Sequence, residues 1–467
     1  MKSKRAIITE NFYKFEITHN LFDKKINDIY FWDVARWSIL QEIVSKKGVI
    51  DKPHDGIKKS FLSYLKTLPW ILRGLTINNP FLINHRKFLI IGHARRKKGF
   101  DNLWLDLFSD PIIDNDIFKN YVLIEKPYQN YHLIPAKTKS IKYLDLFIFP
   151  YIIAKLFGRL LISTSDIKKI HKLEHQLSDE FQTHIDLVNK LSYFYGQQAF
   201  VKPLIKILYK IVAPEALILS VYYCNPLFII AAKELNIPVV ELQHGIISYY
   251  HCAYHYPKIN RKSFFTPNYI LSFGSYWKKQ ISLPVDNNNI YEVGYPYFEM
   301  EKKQYLKHKR RKQILFISQG TMGRQMATFV ANAKDEINPK YKIIFKLHPG
   351  EFKRAYQILE TNNIEVVRDE VPLYQLLAES EIVVGVNSTA IFEAMGMGVP
   401  KIGILNWEGK EYVDQLLKLN NVKLIDNVND LLLLCKTHIK INGLDLDQFF
   451  KKNSIENIKN VVSKIIN

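Results

Sequence analysis

The chain has 467 residues, enough for two domains with separate cores, and its 47% hydrophobic and 13% aromatic content excludes a disordered protein. Its three cysteines, Cys224, Cys252 and Cys435, are far apart and include no CxxC pair, which argues against a disulfide framework or a zinc site. The net charge of +20 implies an anionic partner: nucleic acid, anionic lipid, an acidic polymer or a sugar nucleotide. The basic residues are dispersed and carry no DNA- or RNA-binding signature, which counts against nucleic acid. The opening MKSKRAIITENFYKF lacks the apolar core of a signal peptide, and no stretch reaches the roughly 20 uncharged apolar residues of a spanning helix. The expectation is a cytoplasmic chain whose membrane contact is peripheral.

The first 85 residues are aromatic-rich and helical in pattern. Residues 29–40 carry apolar side chains at helical spacing, which reads as core. Between positions 57 and 86, Lys58, Lys59, Lys66, Arg73 and Arg86 alternate with Phe61, Leu62, Tyr64, Leu65, Trp70, Ile71 and Leu72. That mixture suits a helix lying on an anionic membrane face; a solvated helix over a core is the other reading. Residues 87–92 (KFLIIG) form the first clear buried strand, and 120–125 a second. The basic loop 93–102 holds His93, Arg95 and Asp101 at a strand end, where open α/β sheets bind ligands. It reads either as a loop for an acidic acceptor, with His93 or Asp101 taking a proton, or as an ordinary solvated loop.

Residues 144–162 are the most apolar stretch, but Asp145, Pro150, Lys155 and Arg159 interrupt it. A buried or interfacial helix is expected there. Residues 167–190 predict one long surface helix. Strands at 216–221 and 238–242 then flank a helix at 226–235, and the second strand ends in Gln243-His244-Gly245. This puts an imidazole and a flexible backbone at a sheet edge, followed by Ser248, Tyr249, Tyr250, His251, Tyr254 and His255. A purely structural histidine is the alternative. Strands at 269–273 and 290–294 follow, and the charged run 299–312 reads as an interdomain linker.

A new strand at 313–318 leads into a turn bearing Gly320 and Gly323, a weak nucleotide signal by itself. The strand 342–347 ends in His348-Pro349-Gly350-Glu351. The most informative segment is 382–407. A strand (382–386), an Asn387-Ser388-Thr389 cap, a helix near 390–395 with Glu393, a stop at Gly396 and Gly398, and a strand (401–405) make a βαβ unit. Hydroxyls and free N–H groups at the helix start favour phosphate, and Glu393 is placed to accept from ribose hydroxyls. An ordinary capped helix with a solvated Glu is the plain alternative. Beyond 410 the pattern is helical and leucine-rich. Asp445-Leu446-Asp447 lies outside the sheet pattern, so no D-x-D metal motif stands at a strand end.

The S-T-x-x-x-E-A-x-x-x-G-x-P spacing from Ser388 to Pro400, taken with Gln243-His244-Gly245 and Lys346-Leu347-His348-Pro349, resembles the metal-independent GT-B glycosyltransferases of bacterial surface polysaccharides. These include the sialyl-, polysialyl- and Kdo-transferases; the motifs are similar also to those of CDP-glycerol glycerophosphotransferases. The resemblance covers about residues 215–405. It implies an α/β GT-B fold, two Rossmann-like doubly wound domains facing a cleft. Residues 1–300 would form the acceptor-side domain with a helical extension, 313–440 the nucleotide-sugar domain, and 441–467 a helix packing back on the first domain.

The same resemblance implies roles. His348 would contact the donor phosphate and assist the leaving group, beside Lys346, Pro349 and Gly320. Ser388 and Thr389 would hold that phosphate, and Glu393 the ribose. His244 would act as base or in donor positioning, Asp101 would be a carboxylate base, and His93 and Arg95 would face the acceptor. No metal and no cofactor besides the donor substrate is expected. The implied function is transfer of a sugar from a nucleotide-sugar donor to a growing capsule, O-antigen or lipooligosaccharide chain. A CDP-glycerol or CDP-ribitol phosphotransferase of teichoic-acid-like polymers is the alternative, and a sugar-nucleotide epimerase a third option. The implied partners are the donor, a glycan or lipid-linked acceptor and the anionic inner face of the cytoplasmic membrane, with no nucleic acid. A nucleic-acid-binding protein and a catalytically dead scaffold are the rivals from other classes.

Overall fold

The computed structural model describes residues 2–49, 68–93, 96–99, 101–115, 118–128, 131–257, 259, 261, 263–337, 339–439 and 445–466. Lys58, Lys59, Phe61, Leu62, Tyr64, Leu65, Lys66 and Arg95 lie outside the described residues. In chain order the strands are β1 (Phe88–Ile91), a small hairpin of β2 (Lys97–Lys98) and β3 (Trp104–Leu105), β4 (Tyr121–Glu125), β5 (Ile141–Tyr143), β6 (Ala216–Ser220), β7 (Val239–Leu242), β8 (Tyr269–Ser272) and β9 (Ile290–Glu292). The second half contributes β10 (Arg311–Ile317), β11 (Lys342–Lys346), β12 (Glu365–Val367), β13 (Ser380–Gly385), β14 (Lys401–Leu405) and β15 (Val422–Ile425).

Two all-parallel sheets result. The first runs β5-β4-β1-β6-β7-β8-β9 and the second β12-β11-β10-β13-β14-β15. Each sheet therefore begins at its centre, winds outward one way, then reverses at β1/β6 or β10/β13. This is the doubly wound Rossmann order, with its crevice at the point of reversal. The apolar runs have the composition they do because parallel sheets are covered on both faces. Phe88 and Ile90 of β1 enter one core with Ile458 and Val462 of the C-terminal helix Ser454–Ile466. Leu89 and Ile91, on the opposite face, join a second cluster that includes Phe12 and Trp32 from the N-terminal helices Lys4–Thr18 and Trp32–Lys46. That cluster continues without a break to Leu315, Ile391 and Phe392 of the second sheet's domain, so the two domains share apolar packing. Two Rossmann-like domains facing across a cleft, with the last helix returning to the first, are the GT-B arrangement.

Several elements differ from the sequence reading. The run 299–312 is not a solvated linker throughout: Pro296–Tyr305 is a helix that buries Tyr297, Phe298, Glu301 and Tyr305. Its Glu299 accepts from the N–H groups of Asn453 (3.1 Å) and Ser454 (2.8 Å), so a residue read as surface charge instead docks the C-terminal segment. The long helix expected at 167–190 is two, Thr164–Phe181 and Leu187–Phe200, broken where Gln182 turns left-handed at φ 47°. The region beyond 410 is not helical throughout: the VKLI sequence of β15 is a half-exposed edge strand in which Lys423 interrupts the apolar run. The apolar stretch near 150 is the helix Ile148–Phe157 followed by a 3-10 turn, Gly158–Leu161. Among the described residues no single helix is long and apolar enough to cross a membrane.

Candidate functional site

The carboxyl ends of the two sheets meet. His244 and Gly245 leave β7, and a Cβ placed on Gly245 would lie 3.8 Å from Oγ1 of Thr389, the first residue of the helix Thr389–Gly396 that follows β13. Between them is a cleft of about 240 Å³, lined by Arg5, Trp37, His244, Ile246, His251, Asn387, Thr389 and Tyr412. No carboxylate stands among these lining residues.

On the first domain's side His244 is held from two directions. Its Nε2 is 3.3 Å from the Tyr223 hydroxyl, and its Nδ1 is 3.4 Å from that of Tyr254. Tyr254 donates to Oε1 of Glu241 at 2.6 Å, and the Tyr222 N–H donates to the same oxygen at 3.2 Å. With the Tyr254 proton directed to Glu241, the phenol oxygen is left to accept from His244 Nδ1–H, which puts the ring's lone pair on Nε2. Glu241 sits inside β7 with no exposure, and burial pushes its carboxyl group up to about 8. Part of the His244 ring opens on the cleft, yet the surrounding protein lowers it to about 3, with a smaller contribution from His93. His244 is therefore a neutral imidazole at pH 7, able to accept a hydrogen bond from a hydroxyl. His251 stacks on Trp37 (4.6 Å between centroids, 6° between planes) and burial lowers it to about 3 as well.

On the second domain's side the start of the helix Thr389–Gly396 is capped by Ser388, whose Oγ accepts from the Ala390 N–H at 3.2 Å. The positive end of the helix dipole thus opens on the cleft beside the Thr389 hydroxyl. Glu393, one turn in, is buried and hydrogen-bonded by Tyr374, and burial raises it to about 7. Gln319 bonds to the Asn387 side chain, tying the β10 turn to the β13 turn across the point of reversal. Gly320 stands beside His348: a Cβ there would be 3.7 Å from Nδ1 of the ring. Glu351 organises this corner, its carboxylate accepting from the His348 N–H at 2.6 Å, from Ser318 Oγ at 2.9 Å and from the Tyr356 hydroxyl. Lys346, at the end of β11, is lowered to about 8 by burial. Pro349 is exposed in the same turn.

The structure thus brings His244 together with Thr389, and His348 with Gly320. It does not bring Asp101 to the cleft lining; that residue is exposed in the hairpin turn and accepts from the Leu103 N–H at 3.1 Å. The loop read as a solvated basic segment is partly a buried network. Arg96 donates to Glu125 (2.7 Å) and Asp110 (3.4 Å), and Asp106 accepts from the His93 N–H at 2.8 Å, which fixes His93 near Phe108 and, beyond it, His244. Arg5, Trp37, Tyr412, Glu241 and Glu351 were not anticipated as parts of the site. One signal was available, because Glu241 interrupts an otherwise apolar strand, PVVEL. Arg5 and Trp37 lie more than 200 positions from His244 and carried no local signal.

No family model matches the chain and no curated protein matches it in sequence. Solved structures of similar fold include the UDP-GlcNAc 2-epimerase from Neisseria meningitidis bound to UDP-GlcNAc, at 12% identity over 81% of this chain and 99% of that one, with a TM-score of 0.45. A spinosyn rhamnosyltransferase complexed with thymidine diphosphate matches at 15% identity, 81% and 92% coverage, and a TM-score of 0.42. The wall teichoic acid polymerase TagF matches at 11% identity, 86% and 92% coverage, and a TM-score of 0.39. At these identities and scores they carry nothing about substrate or residue roles, and the fold stands on the strand orders above.

Proposed function

We propose that this chain is a metal-independent GT-B glycosyltransferase that moves a sugar from a nucleotide-sugar donor to a growing bacterial surface glycan. The observation that carries this reading is the meeting of two Rossmann crevices, which sets a neutral imidazole, His244, opposite a hydroxyl-rich helix start at Ser388 and Thr389. Transfer from such a donor requires a proton acceptor for the incoming hydroxyl and a positive environment for the departing phosphate. In this reading His244 Nε2 accepts the acceptor proton. Thr389, Ser388 and the helix N-terminus hold the leaving phosphate, and His348, with Gly320 and Lys346 beside it, neutralises its growing charge. Glu393 faces the ribose.

The same reading puts the enzyme at the anionic inner face of the cytoplasmic membrane. Its support is a set of exposed apolar side chains: Leu68, Leu72 and Leu75 of the helix Leu68–Leu75, and Phe149, Ile152, Leu156, Phe157 and Leu160. Arg73, Lys155 and Arg159 are exposed in the same helical elements, the mixture that favours an interfacial position on acidic lipid.

Incubating the purified chain with CMP-, CDP-, UDP- and GDP-linked sugars and a surface-glycan extract, with and without EDTA, tests the proposal. Nucleotide release coupled to sugar incorporation, unchanged by EDTA, is the expected outcome. CMP release with polyol-phosphate incorporation would assign the phosphotransferase alternative, and interconversion of free UDP-sugars an epimerase.

A further inference from the structure

The N-terminal helix Lys4–Thr18 does not merely cover the first domain. Its opening turn is clamped by two carboxylates of the second domain. Glu411 accepts from the Ser3 N–H (2.6 Å) and the Ser3 hydroxyl (2.7 Å), and Glu408 accepts from the N–H groups of Lys4 (3.2 Å) and Arg5 (3.0 Å). These carboxylates are occupied by three backbone N–H groups and the Ser3 hydroxyl, which satisfies the helix start. Arg5 forms no ion pair among the described residues. Its guanidinium lies over the Tyr412 ring, 4.8 Å from the centroid, and lines the cleft together with Thr389, the positive end of a helix. The same lining holds the Trp37–His251 stack. The His251 ring is nine-tenths buried and its Nδ1 has no hydrogen-bond partner among the described residues. A guanidinium beside two aromatic walls, Trp37 and Tyr412, with no carboxylate among the lining residues, suits one ring or polyol carrying an acid group.

We infer that the N-terminal arm completes an anion subsite in which Arg5 holds the carboxylate or phosphate of the acceptor's terminal unit, with its carbon skeleton against Trp37 and the donor's phosphate at Thr389 next to it. The acceptor assignment rests on the transferase reading above: His348, Gly320, Lys346 and Glu393 lie outside this lining, which leaves them to the donor, whereas His244 borders it. An acid-bearing unit held there would present a neighbouring hydroxyl to His244.

Acid and neutral probes of matched shape test the subsite in the full chain. Ligand-observed NMR titrations compare glucuronate with glucose, and glycerol 3-phosphate with glycerol, for wild type, Arg5→Gln and Arg5→Lys. UDP, CDP and CMP are titrated by calorimetry alongside. At least one acid should bind with its neutral counterpart silent. Arg5→Gln should weaken the acid about tenfold or more, the loss expected for a charge-assisted hydrogen bond, and Arg5→Lys should fall between. Nucleotide affinity should be the same in all three. Equal binding of acid and neutral probes, or acid binding untouched by Arg5→Gln, would overturn the subsite. A loss of nucleotide affinity in place of acid affinity would move the anion to the donor and overturn the acceptor assignment. Should Arg5→Gln fail to fold, the acid-to-neutral ratio of the wild type and of Arg5→Lys decides. Acid binding that persists while no nucleotide binds would sink the transferase reading and leave the subsite standing.

Discussion

Tyr254 donates its hydroxyl proton to Oε1 of Glu241 at 2.6 Å, and its phenol oxygen lies 3.4 Å from Nδ1 of His244. A carboxyl group with no exposure, a phenol and a cleft imidazole thus form one connected chain, and the other carboxyl oxygen of Glu241 has no partner among the described residues. An unpaired buried oxygen is tolerable when it carries the proton, in keeping with a group raised to about 8 from an ordinary 4.5.

This raised value has a sign that can be measured. Because the folded group holds its proton to higher pH than the unfolded one, its contribution to stability is fully present below about 4.5 and is lost as the pH rises through about 8. Glu241→Gln keeps the acceptor for Tyr254 and never ionises. The melting temperature of the variant minus that of the wild type should widen from pH 5 to pH 8.5. A difference that is flat across this range would contradict the assignment.

The role of His244 divides by kinetics. As the proton acceptor it should supply about 10²–10⁴-fold in kcat, so His244→Ala should lose that much while nucleotide affinity by calorimetry stays within twofold. A raised donor KM with kcat intact would instead make it a donor-positioning residue, and full activity would remove it from the mechanism.

The C-terminal segment crosses the first domain where two glycines leave room for it. Gly294 has φ +97°, a conformation few side chains adopt, and a Cβ there would collide with the Lys451 carbonyl; one on Gly274 would collide with that of Gln448. Gly294→Ala should therefore cost about 2 kcal/mol or more in urea unfolding, through both strain and loss of this docking. A variant as stable as the wild type would show that the crossing is not needed.

Much of this fold was legible because parallel strands advertise themselves. Val239–Leu242, Lys342–Lys346 and Ser380–Gly385 are short and rich in β-branched residues, and the motifs Gln243-His244-Gly245, His348-Pro349 and Asn387-Ser388-Thr389 that follow them name the carboxyl edge. The helix start at Ser388 was readable from capping chemistry alone. What could not be read was anything made by distant segments. Arg5 reaches the cleft only because Glu408 and Glu411 hold its helix, and nothing near Arg5 in sequence records that. Lys97, read as one charge in a basic loop, donates to the Tyr297 hydroxyl at 2.8 Å and partly offsets the burial that raises the pKa of Glu393 in the other domain. Element ends were misplaced where local pattern and packing disagreed: Lys302 and Lys303 look like linker, yet Tyr297, Phe298 and Tyr305 bury the helix that carries them.

The proposed membrane contact concentrates on Leu156 and Leu160, which are 67% and 78% exposed. Replacing both by serine should lower co-sedimentation with vesicles containing acidic phospholipid several-fold. Wild-type binding should weaken with added salt, because Arg73, Lys155 and Arg159 supply the electrostatic part. Binding that is equal on neutral and acidic vesicles, or indifferent to the two serines, would take the membrane away from this surface.

The central claim is that the helix start at Thr389 and the turn at His348 receive a nucleotide, and calorimetric titration with CMP, CDP, UDP and GDP addresses it most directly. The account predicts that one of them binds without added metal, and that His348→Ala and Thr389→Val each weaken it about tenfold or more while their melting temperatures remain near the wild type's. No binding of any of the four to the folded wild type, or binding that both variants leave untouched, would contradict it.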